Sequence, residues 1–365
     1  MSEVNFFDLS VKDPIHKAEL LSAVDRVLSH GRLILGPEVT ELEAVLSQFC
    51  GRDCCVGVGS GTAALYVALR GLDIGPGDEV ITTPLSWIAT LNAIVLTGAT
   101  PVFVDIGPDL NMDAELIAPA ITSRTKAVVP VHFSGVMCDM ESIMKTGKRH
   151  GVHVIEDAAQ AFGAERGGKR AGAFGTVACF SMNAMKVFHS YGEAGAVLTD
   201  DPSLRDKMAS LCYNGTVNRG ECHHPSLNFR LQTMQASMLL VELKRLEGII
   251  ARRREIAGIY HRALGGVVTI PLDVPGSQSI FYTYTIQTDR RDELREFLAA
   301  KGIESKIHHP VLMPYHEAYR DKFAPHIPVA KRLVQRILSL PNHEKMTDAE
   351  VEHVARCVRE FLGAA

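Results

Sequence analysis

Residues 154–160 read Val154-Ile-Glu-Asp-Ala-Ala-Gln160. An apolar, β-branched start that runs into two carboxylates reads as a buried strand ending at a polar edge, and in open α/β sheets ligand chemistry gathers at the carboxyl ends of the strands. Outward from this stretch, short apolar runs recur at 54–58, 79–82, 101–105, 127–132, 177–182 and 195–199, and 152–157 makes the seventh. Helix-like segments such as 61–71 and 87–96 separate several of them. That alternation predicts an α/β fold with a central, mainly parallel seven-stranded sheet flanked by helices, because continuously apolar strands are the ones buried on both faces. Past residue 227 the pattern changes to a long helical stretch, 231–261, followed by 281–287, an amphipathic 291–301, 303–307 and a final helix 348–362. These predict a smaller α+β C-terminal domain. The expected division is an N-terminal segment 1–14, a large domain 15–245 and a small domain 246–365.

With 365 residues the chain is long enough for two such domains and a buried cleft. Lys plus Arg number 38 against 42 Asp plus Glu, which leaves no basic field for a nucleic-acid backbone. The eight cysteines show no repeating C-x-x-C spacing, so neither a disulfide scaffold nor a zinc ribbon is expected. No run of roughly 18 apolar residues occurs and the N-terminus lacks a signal-peptide pattern, so no membrane association and a cytoplasmic location are expected.

Three segments carry chemistry. Gly57-Val-Gly-Ser-Gly-Thr-Ala-Ala64 follows a strand and opens a helix, whose free N–H groups suit a phosphate. It reads equally as a tight strand-to-helix turn; its glycines are spaced too closely for the G-x-G-x-x-G of a dinucleotide site, which disfavours a nucleotide-dependent dehydrogenase. Asp157 is placed to pair with a protonated heterocyclic nitrogen, as in enzymes that use pyridoxal phosphate (PLP) as an electron sink, or else to cap a helix. In Cys179-Phe-Ser-Met-Asn-Ala-Met-Lys186 a lysine follows an apolar strand among small and apolar side chains, where desolvation would free its amine as a nucleophile. A lone lysine there is ordinarily a solvated surface residue. The order of phosphate-ready turn, acidic strand end, then serine and lysine is more specific than any one member.

Together with Pro84-Leu-Ser-Trp-Ile-Ala-Thr90, Gly192-Glu-Ala-Gly195, Asn228-Phe-Arg230 and His308-His-Pro310, these segments resemble the DegT/StrS sugar aminotransferases, of the fold-type-I PLP enzymes, along nearly the whole chain. The resemblance implies an aminotransferase that moves an amino group from glutamate or glutamine to a keto-sugar, one linked to a nucleotide and carrying its ketone at C4 or C3. It makes Lys186 the residue that holds PLP as an imine and shuttles the proton, and Asp157 the partner of the pyridine nitrogen. It also places Gln160 near the phenolic oxygen, Trp87 and Ala159 on the two ring faces, and Gly61, Thr62 and Ser181 around the phosphate. Asn228 is implied to reach the phosphate from the neighbouring subunit, hence a homodimer with shared sites. Asn183, Arg230, Lys306, His308 and His309 are the expected substrate contacts, although the last three also read as a solvated loop and Asn228 as a helix cap.

Three features depart from the family pattern. Met182-Asn183 replaces an aromatic and a histidine, Ala194 replaces a glycine, and Cys222-His-His224 suggests a metal but lacks a second ligand pair. A same-fold sugar dehydratase carries histidine where Lys186 stands. A cyclitol aminotransferase would share these segments, and so would a non-catalytic regulatory protein of the same fold, against which the intact Lys186 and Asp157 weigh.

Overall fold

The computed structural model describes residues 3–218 and 220–364. Its central sheet has seven strands: β1 (Cys54–Val58), β2 (Glu79–Thr82), β3 (Thr100–Phe103), β4 (Thr125–Val129), β5 (His153–Asp157), β6 (Val177–Ser181) and β7 (Gly195–Thr199), in the order β1-β7-β6-β5-β4-β2-β3. Only β7 runs antiparallel to its neighbours, so the expected mainly parallel sheet is what forms, and β1, β2, β5 and β6 all point their carboxyl ends to one edge. The run expected to extend to residue 132 stops at Val129 because Pro130 has no N–H for the ladder. Pairing continues past it through Asp157 N to Pro130 O and His132 N to Asp157 O.

Each face of the sheet has its own apolar layer. Helices Pro37–Cys50, Met140–His150 and Thr233–Leu243 contribute Leu42, Leu46, Ile143 and Leu239 to one. Helices Gly61–Gly71, Ala89–Leu96 and Pro202–Cys212 contribute Leu65, Leu69, Ile94 and Met208 to the other.

The helical stretch expected over 231–261 is two helices, Thr233–Leu243 and Leu246–Leu264. Between them, bonds of Lys244 N to Val241 O and Arg245 N to Glu242 O tighten the turn. The buried Glu242 carboxylate is held inward there by His16 Nε2 at 2.6 Å and the Tyr191 hydroxyl at 2.7 Å. Beyond the break a separate core forms where helices Leu246–Leu264, Arg291–Ala300 and Asp348–Leu362 cover the antiparallel pair Tyr284–Gln287 and Ile337–Leu340. The expected strand from residue 281 begins only at Tyr284, because Phe281 has φ of 46°, outside extended geometry. The N-terminal residues join this second core: Val4 bridges Ile303, and Phe6 N donates to Glu304 Oε2 at 2.7 Å. None of the described helices is long and apolar enough to cross a membrane.

Candidate active site

A cavity of about 660 Å³ opens where the carboxyl ends of β1, β2, β5 and β6 face the second core. The loop after β1 brings Ser60, Gly61 and Thr62. The Ser60 hydroxyl accepts from Ala63 N at 3.1 Å, so the Gly61 and Thr62 N–H groups of the first helical turn keep no acceptor among the described residues. A Cβ on Gly61 would lie 2.6 Å from Cβ of Ser181, which is why only glycine lets the two backbones approach and turns these donors and the serine hydroxyl to one point.

Asp157, at the end of β5, is 2% exposed. Its Oδ2 accepts from the Thr90 hydroxyl at 2.7 Å and its Oδ1 from Ala159 N at 3.2 Å. Burial pushes its pKa above the ordinary carboxylate value, against the pull of Thr90, Ala159 and the Lys186 charge. Turns follow it rather than a helix, so Asp157 caps no helix. Gln160 accepts from Ser134 N at 3.0 Å through Oε1 and lines the same cavity beside Ala159.

The chain leaving β6 carries Lys186 to the cavity floor, half-buried, with its ammonium 4.6 Å from the centre of the Tyr282 ring. Asn183 donates to Glu193 Oε1 at 2.5 Å and both line the cavity, whereas Met182 is fully buried in the core behind. Ala194 is buried without positive φ, so the loss of glycine there costs no strain. Trp87 stands at the rim, 61% exposed, its ring 6.0 Å from that of His309.

From the second core come Lys306, His308 and His309, which line the cavity rather than open solvent. Burial, then the charges of Lys306 and Lys186, bring the His308 pKa down to about 4; burial, His308 and Lys186 bring His309 down to about 3. Both rings are therefore neutral near pH 7. The His309 backbone has φ of 55°, a conformation costly for a residue with a side chain. The Lys306 ammonium lies 4.6 Å from the Phe7 ring centre.

Two expected contacts are elsewhere. Asn228 is exposed outside the cavity, its Oδ1 accepting from Arg230 Nε at 2.9 Å, and it caps no helix, the next one starting at Thr233 behind Gln232. Arg230 lies over Tyr213 and lines a second cavity with Leu35, His223 and His224. Among the described residues no group of His, Cys, Asp and Glu could hold a metal ion, the Cys222-His-His224 run included. Sequence reasoning gave no role to Thr90, Glu193, Tyr282 or His316, all of which line the cavity. Thr90 was in reach of inspection, three residues after Trp87 at a helix start; Tyr282 and His316 arrive from the second core and leave no local pattern.

The profile of the DegT/DnrJ/EryC1/StrS aminotransferase family matches residues 14–359. This chain belongs to that family. It is 39% identical over 363 residues to dTDP-3-amino-3,4,6-trideoxy-alpha-D-glucose transaminase of Streptomyces venezuelae, covering 98% of this chain and 96% of the relative. It is 37% identical over 351 residues to UDP-2-acetamido-2-deoxy-3-oxo-D-glucuronate aminotransferase of Pseudomonas aeruginosa, covering 96% and 98%. The crystal structure of S. venezuelae DesV in complex with a ketimine intermediate superposes with a TM-score of 0.97 at 38% identity, over 100% of both chains. Solved structures similar to this chain include PLP and pyridoxamine-phosphate forms. The protein is a PLP-dependent aminotransferase.

The residues present fit that cofactor. A carboxylate 2% exposed and, among the described residues, without an ion-pair partner matches a protonated pyridine nitrogen, whose charge would offset the burial that now disfavours ionised Asp157. Free first-turn N–H groups beside Ser181 match a phosphate dianion. Lys186, lining the same cavity, has the amine that an imine to the cofactor would use.

Proposed function

We propose that this aminotransferase takes the amino group of glutamate (or glutamine) and delivers it to the keto carbon of a nucleotide-linked 3-keto sugar, working as a cytoplasmic homodimer. The observation that carries the reading is Lys186 on the floor of a cavity of about 660 Å³ that has Asp157 and the Gly61–Thr62 donors on one wall and the neutral His308 and His309 on the other. One wall suits a charged cofactor and the other a polar, uncharged ring such as a pyranose. The position of the ketone follows the two relatives named above, whose names both place the nitrogen or the oxo group at C3. A lysine where the dehydratases of this fold carry histidine favours transamination over dehydration.

When bound, PLP supplies the electron sink. The protein's part would be positional: Asp157 would accept from the ring nitrogen's N–H, Gly61, Thr62 and Ser181 would hold the phosphate, and Lys186 would carry the proton between the reacting carbons. Tyr282, buried beside Lys186, keeps water from that side of the cavity.

On helix Pro14–His30, Leu21 and Leu28 share one face at 60% exposure each, Ile15 at 70% stands on another, and the half-exposed run Leu33, Ile34 and Leu35 follows the helix. Exposed apolar side chains clustered in this way mark a surface for a second copy. Ile34 bridges Gln232, four residues from the exposed Asn228, so a second copy covering this surface can receive Asn228 in its own site. All eight cysteines are free, as a reducing compartment allows.

Glutamate and glutamine, each offered with a panel of 3-keto and 4-keto nucleotide sugars and mass detection of the amino product, test the reading. A 3-amino nucleotide sugar is the expected product. Turnover of 4-keto sugars alone would overturn the assigned position, and turnover of none would overturn the substrate class.

A further inference from the structure

Five short contacts join Ser134, Thr283, Thr285, Ser339 and His308. The Ser134 and Thr283 hydroxyls are 2.5 Å apart, Ser134 and Thr285 3.3 Å, Thr283 and Thr285 3.0 Å, Thr285 and Ser339 2.9 Å, and Ser339 Oγ and His308 Nδ1 3.1 Å. All four hydroxyl residues are buried, Ser339 completely. Ser134 ties this chain to the cofactor wall, since its N–H bonds Gln160 Oε1. Ser339 ties it to the substrate wall twice, through its hydroxyl and through paired backbone bonds with Lys306.

Each hydrogen bond consumes one proton, and each hydroxyl has one to give. Four hydroxyls therefore satisfy four of the five contacts, and a hydrogen bond at every one of the five takes its fifth proton from the imidazole. The assignment closes without conflict: Ser134, Thr283 and Thr285 donate around their triangle, Ser339 donates to Thr285, and His308 Nδ1–H donates to Ser339. If Ser339 donated to the ring instead, two lone pairs would face each other somewhere in a buried site, a cost that donation from the ring avoids. Burial and two neighbouring lysine charges keep the ring neutral, so with the proton on Nδ1 the other nitrogen carries a lone pair. No described residue bonds that Nε2, and it is not among the enclosed polar atoms without partners, so it faces the cavity that His308 lines. Rings of Phe6 and His309, at 5.5 and 5.9 Å, hold the imidazole in place.

We propose that Ser339 is a positioning residue which, with the hydroxyl chain behind it, fixes His308 as an acceptor, so that His308 Nε2 selects a substrate bearing a hydroxyl or N–H donor at that point of the sugar. The sugar's place in this cavity rests on the function proposed above; the tautomer does not.

The test therefore begins without sugar. In [15N]histidine-labelled holoenzyme at pH 7, with the His308 resonances assigned by loss in His308→Gln, long-range 1H–15N or solid-state NMR should show a neutral ring protonated at Nδ1. Protonation at Nε2, or at both nitrogens, would overturn the proposal whether or not the enzyme uses nucleotide sugars. Ser339→Ala should redistribute the tautomers and Ser339→Thr should restore them. With the acceptor selected by the panel, Ser339→Ala should raise KM for the sugar about three- to tenfold, the size of one lost neutral hydrogen bond, and leave kcat/KM of the glutamate half-reaction unchanged. Equal losses in both half-reactions, or a further loss when Ser339→Ala is added to His308→Ala, would reduce Ser339 to a structural role and overturn the positioning claim.

Discussion

Glu156 and Asp157 are consecutive on β5, are 0% and 2% exposed, and face opposite sides of the sheet, yet their surroundings have nothing in common. Behind the sheet, Glu156 accepts from Phe174 N and Gly175 N at 2.7 Å, from Gly172 N at 2.9 Å, and pairs with His132 Nε2 at 3.2 Å. Burial raises its pKa, but these donors outweigh it and the net shift is downward. On the cavity side Asp157 has one hydroxyl and one backbone N–H, and burial wins. A carboxylate whose lone pairs are filled by the fold holds the fold. One left short of donors suits a cation, and a protonated pyridine nitrogen would supply one.

Substitutions on the two faces should separate along that line. The largest effect belongs to the cavity: Lys186→Ala should lower turnover by at least about 10²–10⁴-fold, the range for loss of an acid–base group alone, with folding intact. In the wild type, borohydride reduction should fix the cofactor to the peptide containing Lys186, and mass mapping to another lysine would remove it from this role. Behind the sheet, Glu156→Ala should cost about 3–5 kcal/mol of stability in urea unfolding, because it strands buried donors, while the enzyme that remains folded keeps its specific activity. A stable Glu156→Ala enzyme with lost turnover would reverse the comparison.

Asp157→Asn should do the opposite. Turnover should fall about ten- to a hundredfold, the equivalent of one hydrogen bond to a charged group, while the apoenzyme melts at a higher temperature than wild type. The sign follows from the direction of the shift. A carboxyl whose folded pKa is raised contributes stability below its unfolded pKa and loses it as pH rises through the folded one. The advantage of asparagine is thus greatest above that range and fades as pH falls, which calorimetry of the apoenzymes across pH will check. An Asp157→Asn apoprotein less stable at neutral pH would mean that Asp157 serves the fold as Glu156 does.

The smallest effect concerns the partner. Mixing Lys186→Ala with Asn228→Ala under conditions of subunit exchange should create one site with both residues intact and recover activity to at most about half of wild type per heterodimer. No recovery despite verified exchange would confine Asn228 to its own subunit.

Much of the wall formed at the sheet edge was legible because its residues follow strand ends. Apolar runs mark β1, β5 and β6, and Gly61, Asp157, Ser181 and Lys186 lie within a few residues of where each run stops. The different fates of Glu156 and Asp157 were not legible, since the donors to Glu156 come mostly from a loop about twenty residues away, while Asp157 has only the Thr90 hydroxyl and the adjacent Ala159 N–H. The break at Lys244–Arg245 was hidden too: there the buried Glu242 meets His16 and Tyr191 from distant parts of the chain.

What the sequence by itself determined, then, is the alternation of strands and helices, the placing of the Gly61 turn, Asp157 and Lys186 at strand ends, and the family. These are set by local periodicity and short spacings. Tertiary structure alone decided that Tyr282 lines the cavity and the Ser339 hydroxyl chain lies behind His308, that Asn228 and Arg230 stay outside the cavity in their own chain, and that Val4 and Phe6 pack toward the second core. The reason is physical: hydrogen bonds and burial act through a few ångströms of space, and between Ser134 and Ser339 the chain runs more than two hundred residues before those few ångströms are closed.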